Sequence, residues 1–507
     1  MTRVDQTLAQ WLTLYRAEDA DVAGLLCDNH NPAAVAFTFV APDLTATALT
    51  YGELADRSRR LANGLAALGV GRGDRVPVLM GKRPELIVTL LAIWRLGAVH
   101  VPLFTAFATG AVRMRVEGSG AKLVVTEPSQ RAKLDPIAGI TVLETGAEFD
   151  ALLTGEPIAK SVRVGGDGTF IQLYTSGTTG SPKGVPVPVW ALAAFRCYLH
   201  YGLDVQPDDV FWNAADPGWA YGLYYAVIAP LAAGRTSLLF EAGFAPETTA
   251  EVVRQFSVTN FAGAPTMYRA MIHAGVSGLT LRRASAAGEP LTLDVVAWGR
   301  TALSTPVRDH YGQTELGMVI GNHWHPDVIE EIKDGSMGRP LPGFTARIAE
   351  GQIAIDTKSP LLWFTRYDQA PDKTAERFSP DGHLYLTADT GRVDEEGYYF
   401  FTARDDDVIL AAGYRIGPFD VESVLATHPA VAEVAVVGRP DPQGIRGEVV
   451  EAFVVAPGGG NDELARELQE LVRDTYSKHA YPRAVHFVDA LPKTPSGKIQ
   501  RYLLRQR

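Results

Sequence analysis

The feature that most constrains the fold is a repeated alternation of a helix with a short apolar strand. Leu54, Leu61, Leu65 and Leu68 fall at spacings of seven, four and three, one face of a helix. Gly69, Gly71 and Gly73 end it. Residues 76–80 then read as a buried strand, 85–94 as an apolar helix, and 99–103 as a second strand. This alternation predicts a parallel α/β sheet. Residues 123–126 and 434–437 are further buried-strand candidates. No repeat of 20–50 residues is visible, which disfavours solenoids and propellers.

A chain of 507 residues has room for two to four domains. Its character changes at the charged run Arg404-Asp405-Asp406-Asp407, after Tyr398-Tyr399-Phe400-Phe401. The residues beyond this run suffice for a small α+β domain. Its expected parts are a helix after Pro418, strands near 434–437 and 450–455, a loop at 457–460, and a helix from Asp462. The expected organisation is an N-terminal α/β domain, 1–404, with layered sheets and helices, and a C-terminal α+β domain, 405–507. A weaker boundary is expected after Met337-Gly338-Arg339-Pro340, where short strands replace helices.

Composition removes several functions. A net charge of −11 disfavours a nucleic-acid-coating surface. Two cysteines, Cys27 and Cys197, cannot build a disulfide framework or a cysteine zinc site. The most apolar stretch, 86–104, is interrupted by Arg95, Gly97, His100 and Pro102. Asp5, Gln6 and Gln10 break any apolar signal-peptide core. A soluble, cytoplasmic protein is expected, with no membrane insertion; a homodimer is left open.

The strongest local signal is Tyr174-Thr175-Ser176-Gly177-Thr178-Thr179-Gly180-Ser181-Pro182-Lys183-Gly184. Its glycines let backbone N–H groups approach an anion, and its hydroxyls and Lys183 add donors. The preceding 170–173 is strand-like, so the loop falls at a strand end, where α/β sheets bind ligands. A flexible surface loop is the bland alternative. Pro182 before Lys183 and Gly184 after it exclude the P-loop pattern of Gly-Lys-Ser/Thr.

These residues resemble the phosphate loop of the adenylate-forming superfamily, which includes acyl-CoA synthetases, peptide-synthetase adenylation domains and luciferases. Six further segments match it in order. Ala287-Gly288-Glu289-Pro290 resembles the adenine-side loop, and Tyr311-Gly312-Gln313-Thr314-Glu315 the nucleotide and magnesium motif. Thr387-Ala388-Asp389-Thr390-Gly391 resembles the ribose segment. Arg404-Asp405-Asp406-Asp407-Val408-Ile409 resembles the hinge, Ala412-Gly413-Tyr414-Arg415-Ile416 the loop after it, and Pro495-Ser496-Gly497-Lys498-Ile499 the C-terminal lysine motif.

The resemblance implies a two-step ligase. A carboxylate attacks the α-phosphate of ATP and expels pyrophosphate; CoA thiol then takes the acyl group and releases AMP. Such chemistry is mainly positioning and cationic stabilisation. By resemblance, Thr175, Ser176, Gly177, Thr178, Thr179, Gly180 and Lys183 bind phosphate, Gly288, Glu289, Pro290 and Tyr311 the adenine side, and Asp389 the ribose hydroxyls. Arg404 joins Asp389, with a hinge salt bridge as its alternative. Gly312, Gln313 and Thr314 complete the nucleotide site, and Glu315 is the Mg²⁺ ligand. Lys498 holds the transferring carboxylate and the α-phosphate, with Thr314, Glu315 and Lys183 as catalytic partners; Arg415 adds phosphate contacts. Asp406 is the hinge about which the small domain rotates. Gly413 and Tyr414 then border the CoA tunnel.

Within the superfamily, Asp216-Pro217-Gly218-Trp219-Ala220-Tyr221-Gly222, Gly263-Ala264-Pro265-Thr266-Met267-Tyr268 and the segment after Gly413 look most like the medium-chain acyl-CoA synthetase branch. Relatives acting on acetate carry tryptophan where Gly312 stands. Gly312 with Trp219 is therefore expected to shape a pocket for a short- or medium-chain, branched or aromatic acid. The alternative is an enzyme that loads a carrier protein or another acceptor instead of CoA.

Overall fold

In the computed structural model, all residues are described except 1, 176–182, 405–406, 412–413, 442–447, 495–498 and 507; residues 404, 414 and 415 are described in backbone only. The sequence-expected alternation is present. The leucine face lies on helix Tyr51–Ala67, with Leu54, Leu61 and Leu65 buried and Leu68 at its C-cap. Thr50 caps its start, accepting from the Glu53 N–H while the Glu53 carboxylate accepts from the Thr50 N–H. The chain then passes through strand Arg75–Leu79, helix Pro84–Arg95 and strand Val99–Leu103. Every residue from Leu86 to Arg95 is buried. Arg95 is tolerated there because its guanidinium is matched by Asp28 at 2.7 Å, with Ser58 and Ser161 as further acceptors.

These units form two large sheets. One has six strands, ordered 141–144, 123–126, 75–79, 99–103, 169–175 and 183–188; its last strand is antiparallel and the rest run parallel. The other has nine. Its middle is parallel, through 307–313, 283–287, 260–263, 211–213, 237–240 and 35–40. Antiparallel strands 317–321 and 339–340 extend one edge and 46–50 the other. A large apolar cluster reaches into both sheets, joining Val78 and Ile171 of one to Phe39 and Leu239 of the other.

After Pro340 the architecture changes, as the sequence predicts. Strands Ala346–Ala349, Gln352–Asp356, Leu384–Val393 and Tyr399–Arg404 form an antiparallel sheet. Beyond 404 come the hairpin Ile409–Ala411/Tyr414–Ile416, helix Pro418–Leu425, strands Glu433–Pro440 and Glu448–Val455, helix Asp462–Thr475 and strand Ala484–Phe487. This part has its own apolar cluster, including Ile409, Val421, Val436, Ala452 and Leu468. Arg501 forks onto Glu422 at 2.7 and 2.8 Å, and Arg501 and Arg505 both pair with Asp407. Among the described residues, no helix is long and apolar enough to cross a membrane.

Candidate functional site

The candidate site is built where strands end. Strand Thr169–Thr175 and strand Lys183–Pro188 pair as a hairpin, bringing Thr175 directly opposite Lys183. The closing segment with Ser176, Gly177, Thr178, Thr179 and Gly180 lies outside the described residues. In the other sheet, strand Arg283–Ala287 ends at Gly288, whose φ of 98° favours glycine. Glu289 then turns back, accepting from Thr266 Oγ1 at 2.7 Å and from Arg269 Nη2 at 2.9 Å. Pro290, partly buried, comes next in the turn.

The adjacent strand, Val307–Gln313, carries the next motif. Asp389, on strand 384–393, is the hub: its Oδ2 accepts from Tyr311 OH at 2.6 Å and from Gln313 Nε2 at 2.6 Å. Gln313 also donates to the Thr387 carbonyl at 2.8 Å and accepts from Tyr385 OH at 3.2 Å. Asp389 pairs through its backbone with Arg404. The motif strand and the antiparallel sheet are thus tied by hydrogen bonds that fix both side-chain amide and phenol.

Beyond Thr314, which is partly buried, Glu315 is only 6% exposed. Its Oε1 accepts from Tyr367 OH at 2.6 Å, and Tyr367 OH accepts from Arg377 Nε at 3.1 Å. Burial, then the Glu315 charge, push the Tyr367 phenol well above its usual range, so it stays a donor. Burial works against the charge of Arg377, but Tyr385, Tyr367 and Glu315 outweigh it and hold the guanidinium firmly protonated. Lys183 Nζ lies 5.1 Å from the centre of the Tyr367 ring. Burial lowers its pKa first, and the positive charges of Arg377 and Lys373 lower it further. Lys183 makes no ion pair among the described residues. Two cations and one carboxylate thus face one place, an electrostatic state that an incoming polyanion relieves.

Thr314 and Met318 are fixed from below by helical residues 223–228. Tyr224 OH donates to the Thr314 carbonyl at 3.1 Å while its ring stacks on Phe195 at 4.1 Å, and Tyr225 OH accepts from the Met318 N–H at 2.8 Å. Trp219 caps the helical run that leads into these residues. Its ring meets Phe104 at 5.3 Å and Phe107 at 5.5 Å, and its buried Nε1 has no hydrogen-bond partner among the described residues.

Gly312 corrects a sequence expectation. A Cβ there would lie 2.1 Å from the Gly317 carbonyl oxygen and 2.7 Å from Met318 Cα. The motif strand and strand Gly317–Gly321 approach so closely, beside a bulge at Tyr311/Gly312, that only glycine fits. A side chain at 312 would head into that backbone rather than into open space for an acid.

Lys498, Asp406 and Gly413 lie outside the described residues. Tyr414 and Arg415 are on the 409–416 hairpin, opposite Ala411 and Leu410. The structure therefore brings together Lys183, Tyr311, Gln313, Glu315 and Asp389. It adds Tyr367, Arg377 and Tyr385, which sequence reasoning missed. Their only signal was weak: polar residues in a stretch without apolar period.

A family model for AMP-binding enzymes matches residues 27–355, and one for the AMP-binding enzyme C-terminal domain matches 420–498. The chain belongs to the AMP-binding enzyme family. Among the relatives of this AMP-binding enzyme is the acetyl-coenzyme A synthetase of Bacillus subtilis (strain 168), 37% identical over 491 residues, covering 90% of this chain and 84% of that protein. The mitochondrial acyl-coenzyme A synthetase ACSM3 of Homo sapiens is 34% identical over 497 residues, covering 90% and 83%. Among solved structures, the Brucella canis acyl-CoA synthetase is 41% identical with a TM-score of 0.76, covering 100% of this chain and 99% of that one.

Proposed function

We propose that the protein is an AMP-forming acyl-CoA synthetase. It activates a carboxylic acid with ATP, releasing pyrophosphate, and passes the acyl group to CoA, releasing AMP. The observation that carries this reading is the joined cradle: Asp389 holding Tyr311 and Gln313, beside Lys183, Glu315 and Arg377.

In the first step the acid oxygen bonds to the α-phosphorus and the bond to the pyrophosphate oxygen breaks. Tyr311 presents its ring to adenine, while its phenol is spent on Asp389. Asp389, with Arg404, binds ribose hydroxyls. Gly288, Glu289 and Pro290 line the adenine side. Thr175 and Lys183 meet the phosphates with Ser176, Gly177, Thr178, Thr179 and Gly180. Thr314, its carbonyl pinned by Tyr224, has its hydroxyl available for phosphate. Mg²⁺ binds through one or two carboxylates and keeps phosphate and water as its other ligands. Glu315 fits that demand: Tyr367 occupies Oε1, and no donor among the described residues takes Oε2. When bound, Mg²⁺ would supply charge neutralisation on the phosphates.

Lys498 stabilises the charge that grows in the first step. The protein divides at 404/405, and Asp406 is the pivot that withdraws Lys498 and brings Gly413 and Tyr414 to the CoA thiol; Arg415 contacts phosphate in one orientation. In the second step sulfur bonds to the acyl carbon, AMP leaves, and the thiol loses its proton. The apolar wall of Phe104, Phe107 and Trp219 suits a short- or medium-chain, branched or aromatic acid. The enzyme works in the cytoplasm.

The test is pyrophosphate release from acids of two to twelve carbons and benzoate, with and without CoA, in wild type and Lys498→Ala. Adenylation by the variant should fall by a factor on the order of 10²–10⁴. Thioesterification of supplied acyl-adenylate should stay near normal. An equal loss in both half-reactions would remove Lys498 from its assigned step, and wild type that releases no pyrophosphate with any acid would remove the function.

A further inference from the structure

At the other end of the strands of the nine-stranded sheet from the nucleotide cradle lies a second basic cavity, of about 290 Å³. Its walls come from the first helix, Arg3–Tyr15, from the helical residues 196–201, from Arg235, and from the turn at His325. Arg235 stands two residues before strand Ser237–Phe240, and His325 lies beyond the end of antiparallel strand 317–321. Both positions are at the starting end of the parallel strands. The motif residues Tyr311–Gln313 are at the finishing end. A seven-residue strand spans roughly 20 Å, so the two sites are separate.

The cavity has an excess of cations in a chain of net charge −11. Arg3, Arg196 and Arg235 line it, and none of the three pairs with a carboxylate among the described residues. Arg196 donates to Tyr15 OH at 3.1 Å and lies 5.0 Å from the Trp11 ring centre. The His200 and His325 rings lie 4.4 Å apart, tilted by 43° to one another. Among the described lining residues Asp327 is the one carboxylate, 3.9 Å from His325 Nδ1. Burial holds the His200 pKa down to about 4; His325, Arg196 and Arg235 act in the same direction, opposed by Asp204. Burial, then the nearby Arg196, also lowers the pKa of Arg235. Arg196 and Arg235 are both partly buried, and the carboxylates around them, Asp327 in the lining and Asp204 and Asp209 farther off, pair with neither, so an anion held between them would offset the cost of their burial.

We propose that this cavity binds a phosphate group, free or carried on a small metabolite, between Arg196 and Arg235. Guanidinium forks match the geometry of phosphate and carboxylate oxygens, and several of them together favour the more highly charged phosphate. Trp11 and Leu199 leave an apolar side against which the carbon part of an ester packs.

The experiment tracks the ring nitrogens of the full-length protein by NMR, with His200 and His325 assigned through His200→Gln and His325→Gln. Inorganic phosphate, glycerol 3-phosphate and acetate are titrated separately. Reading the signal at these rings keeps phosphate bound at the nucleotide cradle out of the measurement. Phosphate or its ester should move the His200 resonance saturably, with acetate at least tenfold weaker. The tighter of the two phosphates identifies whether the group is free or esterified. Arg235→Gln, and independently Arg196→Gln, should raise the half-saturating concentration at least tenfold, with circular dichroism checking each fold. No saturable movement in wild type overturns the proposal, whatever the variants do. Equal titration curves in wild type and both folded variants overturn it as well.

Discussion

The two walls attributed to the reaction are built in opposite ways. On the side proposed for the nucleotide, Tyr311, Gln313, Glu315 and Asp389 are polar, buried or partly buried, and tied into hydrogen bonds. On the side proposed for the acid, Phe104, Phe107 and Trp219 make an apolar group of tilted and edge-to-face rings in which the indole N–H has no partner among the described residues. Ribose hydroxyls and phosphates demand fixed donors and acceptors, so the nucleotide wall tolerates little variation. An alkyl or aryl acid demands only shape and apolar area, which many residue combinations supply. A polar wall can fail by losing one atom, whereas an apolar wall changes its preference.

The largest break in that comparison is expected from Asp389→Ala. It removes the carboxylate that accepts from the Tyr311 phenol and one of two acceptors from Gln313 Nε2. Hydrogen bonds to a charged group contribute about 1.5–3 kcal/mol each, so kcat/KM for ATP should fall on the order of 10²-fold or more. Asp389→Asn keeps the shape without the charge and should fall in between. If Trp219→Ala reduced kcat/KM for ATP as much as Asp389→Ala, the two walls would not be functionally distinct.

Gly312→Ala tests the polar wall through its backbone. The added methyl would collide with the Gly317 carbonyl, and neither strand can retreat without disturbing the bulge. Overpacking of this kind costs about 1–3 kcal/mol, read as a lower melting temperature. An unchanged melting temperature with altered acid preference would restore Gly312 to the acid pocket. A smaller change is expected from Trp219→Ala on the acid side. It should raise the octanoate-to-butyrate ratio of kcat/KM about tenfold, within what pocket contacts of one or two methylenes allow, and leave KM for ATP unchanged. An unaltered ratio would place the acid elsewhere.

The same contrast explains what could be read from the sequence. Strands 99–103 and 123–126 and the helix from Asp462 lie where the apolar pattern puts them, because buried elements carry their period in the residues themselves. The residues proposed to face the nucleotide could be singled out because they cluster in short motifs. Tyr367, Arg377 and Tyr385 could not be, since Tyr367 and Tyr385 reach Glu315 and Gln313 only through folding of a segment 52 and 72 residues away, and Arg377 joins them through Tyr367. The glycine at 312 was visible, but its reason, a carbonyl on the next strand, is a tertiary contact that no local pattern reports.

The smallest expected effect lies beneath the polar wall. Asp309 sits on the same strand as Tyr311, and burial pushes its carboxyl up to about 7 from 3.8, against the pull of the Leu291 and His310 N–H groups. A raised folded-state pKa means that folding favours the protonated form. This contribution to stability is complete below about 3.8 and is lost as pH rises through 7. From pH 6 to pH 8 the wild type should therefore lose about 1 kcal/mol through this group. Asp309→Asn has no proton to lose, so its urea-unfolding free energy should fall less over that interval. The buried neutral rings of His310 and His323, held down to about 3 and about 4 from 6.5, add stability as pH rises toward and just past 6.5. That gain overlaps the lower part of the interval but is common to both proteins, so the difference between variant and wild type isolates Asp309. Parallel pH profiles for variant and wild type would mean that Asp309 is ionised in the folded state, with its charge met by the strand that carries the nucleotide motif.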